Sequence, residues 1–71
     1  MNKTDIGLSA GIIWRALDNK GKLSFEELQS ETQLDIKLLA AAIGWLAHED
    51  KIYFGEHNGT TVYYLYQETY Y

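Results

Sequence analysis

The sequence predicts an α+β domain of three helices followed by a C-terminal β-hairpin, and three observations carry that reading. Between Asp35 and Glu49 the apolar residues Ile36, Leu39, Ala40, Ile43, Leu46 and Ala47 recur at steps of three and four. This is the period of an amphipathic helix with one core face. After Asp50 the period falls to two, through Lys51-Ile-Tyr-Phe-Gly-Glu-His57 and again through Thr60-Thr-Val-Tyr-Tyr-Leu-Tyr66. Asn58-Gly59 separates these runs, and Asn-Gly between two β-rich stretches signals a hairpin because both turn residues need positive φ.

Taken in order, the first residues are expected to fray, with Thr4 or Asp5 capping a first helix over residues 5–17. At 3.6 residues per turn, Ile6, Ala10, Ile13 and Leu17 share one face with Trp14 at its edge, so Trp14 is expected in the core. Leu8 and Ile12 fall on the other side beside Arg15, and a second apolar face on a short helix asks for a second partner. Asn19-Lys20-Gly21 ends the helix, with Gly21 free to turn left-handed. Lys22 and Leu23 form a short extended piece. Ser24-Phe-Glu-Glu27 then matches a capping box, and Leu23 with Leu28 supplies a hydrophobic staple. These fix a second helix over residues 25–31. Thr32-Gln33-Leu34 breaks it, and Asp35 caps the third helix, over residues 35–49, with Leu34 and Leu39 as a second staple. Two capped helices joined by a tight turn are a helix-turn-helix.

The hairpin strands span residues 51–57 and 60–66. The two-residue loop sets His57 opposite Thr60, Phe54 opposite Tyr63 and Ile52 opposite Leu65. Ile52, Phe54, Tyr63 and Leu65 then share a face that closes the core, while Tyr53, Val62, Tyr64 and Tyr66 occupy the opposite face. Residues 67–71 receive no assignment.

A chain of 71 residues with 46% hydrophobic composition is expected to fold as one domain, residues 1–71. That size lies near the limit at which one core suffices, so packing against a second copy is a natural supplement. Cysteine is absent, which excludes disulfides, thiol catalysis and Cys-ligated zinc and fits a reducing compartment. No basic-then-apolar leader opens the chain, and the uncharged apolar run Leu38 to Ala47 is too short to cross a bilayer. The expectation is a cytoplasmic protein without a membrane span. The two glycosylation-type sequons, at Asn2 and Asn58, are then accidents of composition.

Helix, short strand, helix, turn, helix, hairpin is the order of a winged helix-turn-helix. The chain resembles, more narrowly, a family of small stand-alone winged helix proteins of bacteria and archaea whose function is uncharacterised. The resemblance rests on Ala10-Gly-Ile-Ile-Trp14 in the first helix and on Ala42-Ile-Gly-Trp-Leu-Ala-His-Glu-Asp-Lys-Ile52 at the third helix and first wing strand. It implies a winged helix fold, and DNA binding only through that fold. Where the pattern places a basic residue, as Ala-Arg-Glu, this chain has Ala47-His48-Glu49, which removes one phosphate contact.

Chemistry divides the functional expectation. A DNA-reading winged helix inserts its third helix into the major groove and presents polar and basic side chains there. The net charge is −4, from 6 Lys+Arg and 10 Asp+Glu, so the basic footprint of phosphate binding is missing overall. The nucleic-acid contacts available are Gln33, Lys37, His48, Lys51, His57 and Asn58. An apolar strip of Leu38, Ala41, Ala42 and Trp45 on the third helix suits protein contact better, as do Leu8 with Ile12 and the Tyr53, Tyr64 and Tyr66 face. The ordinary structural roles weigh against each: Trp45 packing onto the wing or first helix, and tyrosines pairing across strands with wet hydroxyls. His48 and His57 lack a third ligand at metal spacing, and no phosphate loop, nucleophile elbow or carboxylate pair is present. The expectation is a non-catalytic module without cofactor, metal or small-molecule substrate. It pairs with a second copy through the first helix (Leu8, Ile12) or the outer hairpin face, with DNA-binding regulation as the alternative.

Overall fold

The computed structural model describes residues 1–65. Tyr66, expected on the outer sheet face, lies outside the described residues, as do residues 67–71. The elements are α1 (Lys3–Lys20), β1 (Leu23–Ser24), α2 (Phe25–Thr32), α3 (Ile36–His48), β2 (Ile52–His57) and β3 (Thr60–Leu65). With three helices against a three-stranded antiparallel sheet of order β1-β3-β2, the chain is an α+β winged helix domain.

Local side-chain chemistry starts each helix. Asn2 caps α1: the Asp5 amide donates to Asn2 Oδ1 at 2.8 Å, and the Asn2 amide donates to Asp5 Oδ2 at 3.3 Å. The helix therefore begins two residues before the position expected from Thr4 or Asp5. Asp5 acts as the reciprocal partner of the cap, because Asn2 completes a capping box that neither of the others can. Ser24 and Glu27 form the second box, with amide-to-side-chain distances of 2.9 and 3.2 Å. Asp35 Oδ2 accepts from the amides of Lys37 and Leu38 at 3.1 and 3.4 Å.

The ends are equally local. Gly21 at φ 89° closes α1, and its amide donates to Leu17 O at 2.8 Å. After α3 the Lys51 amide donates to Leu46 O and the Asp50 amide to Ala47 O, at 2.9 and 3.1 Å. That is a Schellman motif, with Asp50 at φ 57° where glycine is usual. The hairpin turns at Asn58 (φ 52°) and Gly59 (φ 78°), pairing His57 with Thr60, Phe54 with Tyr63 and Ile52 with Leu65. The short β1 docks on β3 by Leu23 opposite Tyr63.

Ala10, Ile13, Leu17, Leu23, Leu28, Leu39, Ala42, Ile43, Leu46 and Ile52 form the core, with Ile6, Ala16, Leu34, Tyr63 and Leu65 packed at its margin. Five placements differ from the sequence reading. Ile36, expected inside, is 61% exposed, and Ala42, expected on the outer strip, is fully buried. Both follow from one rotation: α3 presents Leu39, Ala42, Ile43 and Leu46 inward, so its buried stripe is centred nearer Ala42 than the apolar spacing suggested. Ala40 is exposed for the same reason. Phe54 shares the core-side sheet face but lies on the edge strand β2, and is 61% exposed, its ring 6.3 Å from that of Tyr63 on the central strand. Trp14, expected in the core, stands at the surface, 41% exposed.

Candidate interaction surfaces

Two surfaces carry the side chains singled out by sequence. One is the side of α3 turned away from the core. There Lys37, Ala40, Gly44 and His48 are exposed and Ala41 is half-buried, at helical steps of three and four. A methyl group added at Gly44 would meet nothing within 4 Å. Ile36 stands exposed in the first turn, and Phe54 extends the core-side face of the wing outward. Leu38, placed on the outer strip by its spacing, is half-buried.

The second surface is a trough between α1 and the end of α3. It opens about 500 Å³ between Trp14 and Trp45 over Gly7, Ala10, Gly11 and Leu46, with Glu49 and Lys51 at its rim. Beyond Trp45 it continues over Ile6 and Lys3. Trp45, 49% exposed, thus leans over α1 and leaves the outward strip of α3. Its indole stacks nearly parallel on His48, with centroids 6.3 Å apart and planes 16° from parallel. Leu8 and Ile12 are exposed on α1. On the outer sheet face the Tyr53 and Tyr64 rings tilt against each other at 6.2 Å, and Lys22 Nζ lies 5.4 Å from the Tyr64 centroid.

The residues suited to nucleic acid do not converge. Lys37 stands on the outward face of α3, whereas the Gln33 side-chain amide donates to Ser30 O at 2.7 Å and closes the end of α2. His48 is engaged with Trp45. Lys51 lines the trough beside Trp14, away from the wing tip, where His57 and Asn58 are exposed. The remaining cations are elsewhere. Lys3 lies by Trp45, Arg15 donates to Gly11 O at 3.3 Å, Lys20 Nζ is 4.0 Å from Glu31 Oε1, and Lys22 covers Tyr64. Of the six lysines and arginines, only Lys37 faces outward from α3.

A third depression, about 580 Å³, is lined by Trp14, Tyr64, Lys22, Lys51, Asp18 and Asp50 among others; its two cations and two carboxylates leave it without net charge. Among the described residues no three His, Cys, Asp or Glu side chains gather as a metal-binding group. No described helix is long and apolar enough to cross a membrane. Sequence spacing placed Ala41, Gly44 and Trp45 on the side of the third helix away from the core but missed Ile36 and Phe54, because exposure there depends on the rotation of α3 and on β2 being an edge strand.

Comparison with known proteins places this geometry. The chain is similar to protein BT2368 from Bacteroides thetaiotaomicron, whose solution structure superposes with a TM-score of 0.80 at 35% identity, covering 92% of this chain and 79% of that one. It is also similar to a domain of HOP2, a protein described through its DNA recognition and protein interaction domains and its homologous DNA pairing. There the TM-score is 0.66 at 26% identity, over 80% of this chain and 97% of that one. No protein of curated function matches. The model of the winged helix-turn-helix domain family DUF2582 matches residues 1–65, and the chain belongs to that family.

Proposed function

We propose that this domain is a non-catalytic module that acts through protein contact, pairing with a second copy across the outward face of α3 and the adjoining wing. One observation supports this most. The side of α3 that a DNA reader fills with basic and polar groups carries Ile36, Ala40, Ala41 and Gly44 here, with Phe54 exposed on the wing and Lys37 as the sole Lys or Arg. The exposed Ile36 and Phe54 supply apolar area to bury. Stable pairs bury roughly 800 Å² per partner. The leftover apolar surface also suits a domain whose core is small. The absence of cysteine fits a reducing compartment such as the cytoplasm, and residues 1–71 act as one unit in this reading.

Sedimentation at micromolar concentration tests it. The expected species is a dimer, and Gly44→Glu is expected to shift it to monomer without loss of fold, because Gly44 faces open space and glycine is a poor helix residue. A wild-type monomer overturns the reading. The alternative is a DNA-binding regulator, favoured by the HOP2 likeness and relying on Lys37, His48, His57 and Asn58. A salt series with random duplex DNA separates the two, since phosphate contacts lose affinity steeply as salt rises. The protein-contact reading expects no binding even at low salt.

A further inference from the structure

Pairing through α3 leaves the outer side of α1 unused. There, turned away from the helix's buried residues, Leu8 is 66% exposed and Ile12 38% exposed. Four residues apart, they make one apolar spot on the helix surface. Asp5 lies three residues before Leu8, and Arg15 three residues after Ile12. At 3.6 residues per turn the four fall within an arc of about 80°. Asp5 Oδ2 accepts the Asn2 amide of the cap at 3.3 Å, and Arg15 Nε donates to Gly11 O at 3.3 Å. Neither side chain meets an opposite charge within 4.0 Å among the described residues, where the one ion pair joins Lys20 to Glu31.

Acid, apolar, apolar, base at steps of three, four and three is a pattern complementary to its own reverse. From it we infer that α1 pairs antiparallel with α1 of a second copy, about a two-fold axis level with Ala10. Leu8 then faces the partner's Ile12, and Asp5 faces the partner's Arg15, each contact occurring twice as a two-fold pair requires. At 1.5 Å rise per residue the two ion pairs flank the apolar centre at about 7.5 Å on either side. A parallel pair would set carboxylate against carboxylate and guanidinium against guanidinium, so charge selects the antiparallel sense. The contact is weak, because an exposed ion pair strengthens association by at most about fivefold. A dissociation constant on the order of 10⁻⁴ M is expected, above the micromolar range in which pairing through α3 is read. A chain with two self-complementary faces links dimers into larger assemblies, closed as tetramers where the two axes are perpendicular.

Sedimentation equilibrium of the Gly44→Glu chain at concentrations up to about 1 mM reads the α1 contact apart from α3. A monomer that turns to dimer with concentration is expected. In that background Asp5→Lys sets cation against cation and Arg15→Glu sets carboxylate against carboxylate. Each alone is expected to weaken pairing about tenfold or more. An equimolar mixture of these two variants rebuilds both ion pairs and is expected to associate as tightly as the parent, a gain that misfolding cannot imitate. Asp5 also completes the α1 cap, whereas Arg15→Glu leaves the cap intact, so its loss of pairing stands by itself. Leu8→Ser is expected to weaken pairing in the parent and in the mixture alike. A Gly44→Glu chain still monomeric at about 1 mM, an Arg15→Glu variant that pairs as well as the parent, or a mixture no more associated than its components overturns the inference.

Discussion

Leu39 and Leu28 have no exposed surface, so each removal leaves a cavity that its neighbours fill only in part. Leu39→Ala is expected to cost about 2–5 kcal/mol, read from the midpoint shift in urea unfolding, and an unchanged midpoint would show that α3 does not seal the core. Asp50 presents the opposite case. It holds a left-handed conformation at the end of α3, which costs L-residues roughly 1–2 kcal/mol and glycine almost nothing. Asp50→Gly is therefore expected to stabilise the fold by about 0.5–1 kcal/mol, with the Schellman hydrogen bonds kept. At this scale the caps of α2 and α3 were legible in the sequence because each is a contract between a side chain and a backbone amide two or three residues away. The cap of α1 was misplaced onto Thr4 or Asp5, since several polar residues compete there and only the full reciprocal pair, Asn2 with Asp5, decides. The exposure of Trp14, Ile36 and Phe54 was not legible: it depends on partners distant in sequence.

Among the elements, the hairpin is the one most completely written into local residues. Two turn residues with positive φ set its register, and every cross-strand pair follows. Gly59 holds φ 78°, so Gly59→Ala is expected to cost about 1–2 kcal/mol, measured by thermal unfolding, with the wing loosened before the helices. An unchanged Tm would mean that the turn does not constrain the wing. α3 was legible as a helix and as amphipathic, but its rotation was not. The apolar spacing admits stripes centred on Ile36 and Ala40 or on Ala42, and packing against α1 and the sheet selects the second. That rotation turns Ala40, Ala41 and Gly44 outward, and leaves Trp45 over α1.

For the molecule as a whole, the charge balance and the fold point in different directions. Family and fold are those of a winged helix, a form often used on DNA, yet 6 basic residues against 10 acidic ones are dispersed so that no basic ridge forms along α3 and the wing tip. Large apolar side chains are exposed instead on α1 (Leu8, Ile12, Trp14), on α3 (Ile36, Trp45) and on the wing (Tyr53, Phe54). The outward face of α3 with Phe54 suits a copy of itself, because a two-fold pair sets one patch against the same patch. The most direct test of the central claim is sedimentation equilibrium of the wild-type chain beside Gly44→Glu. A dimer is expected for the first and a folded monomer for the second; a wild-type monomer, or a Gly44→Glu variant as dimeric as the wild type, contradicts pairing through α3.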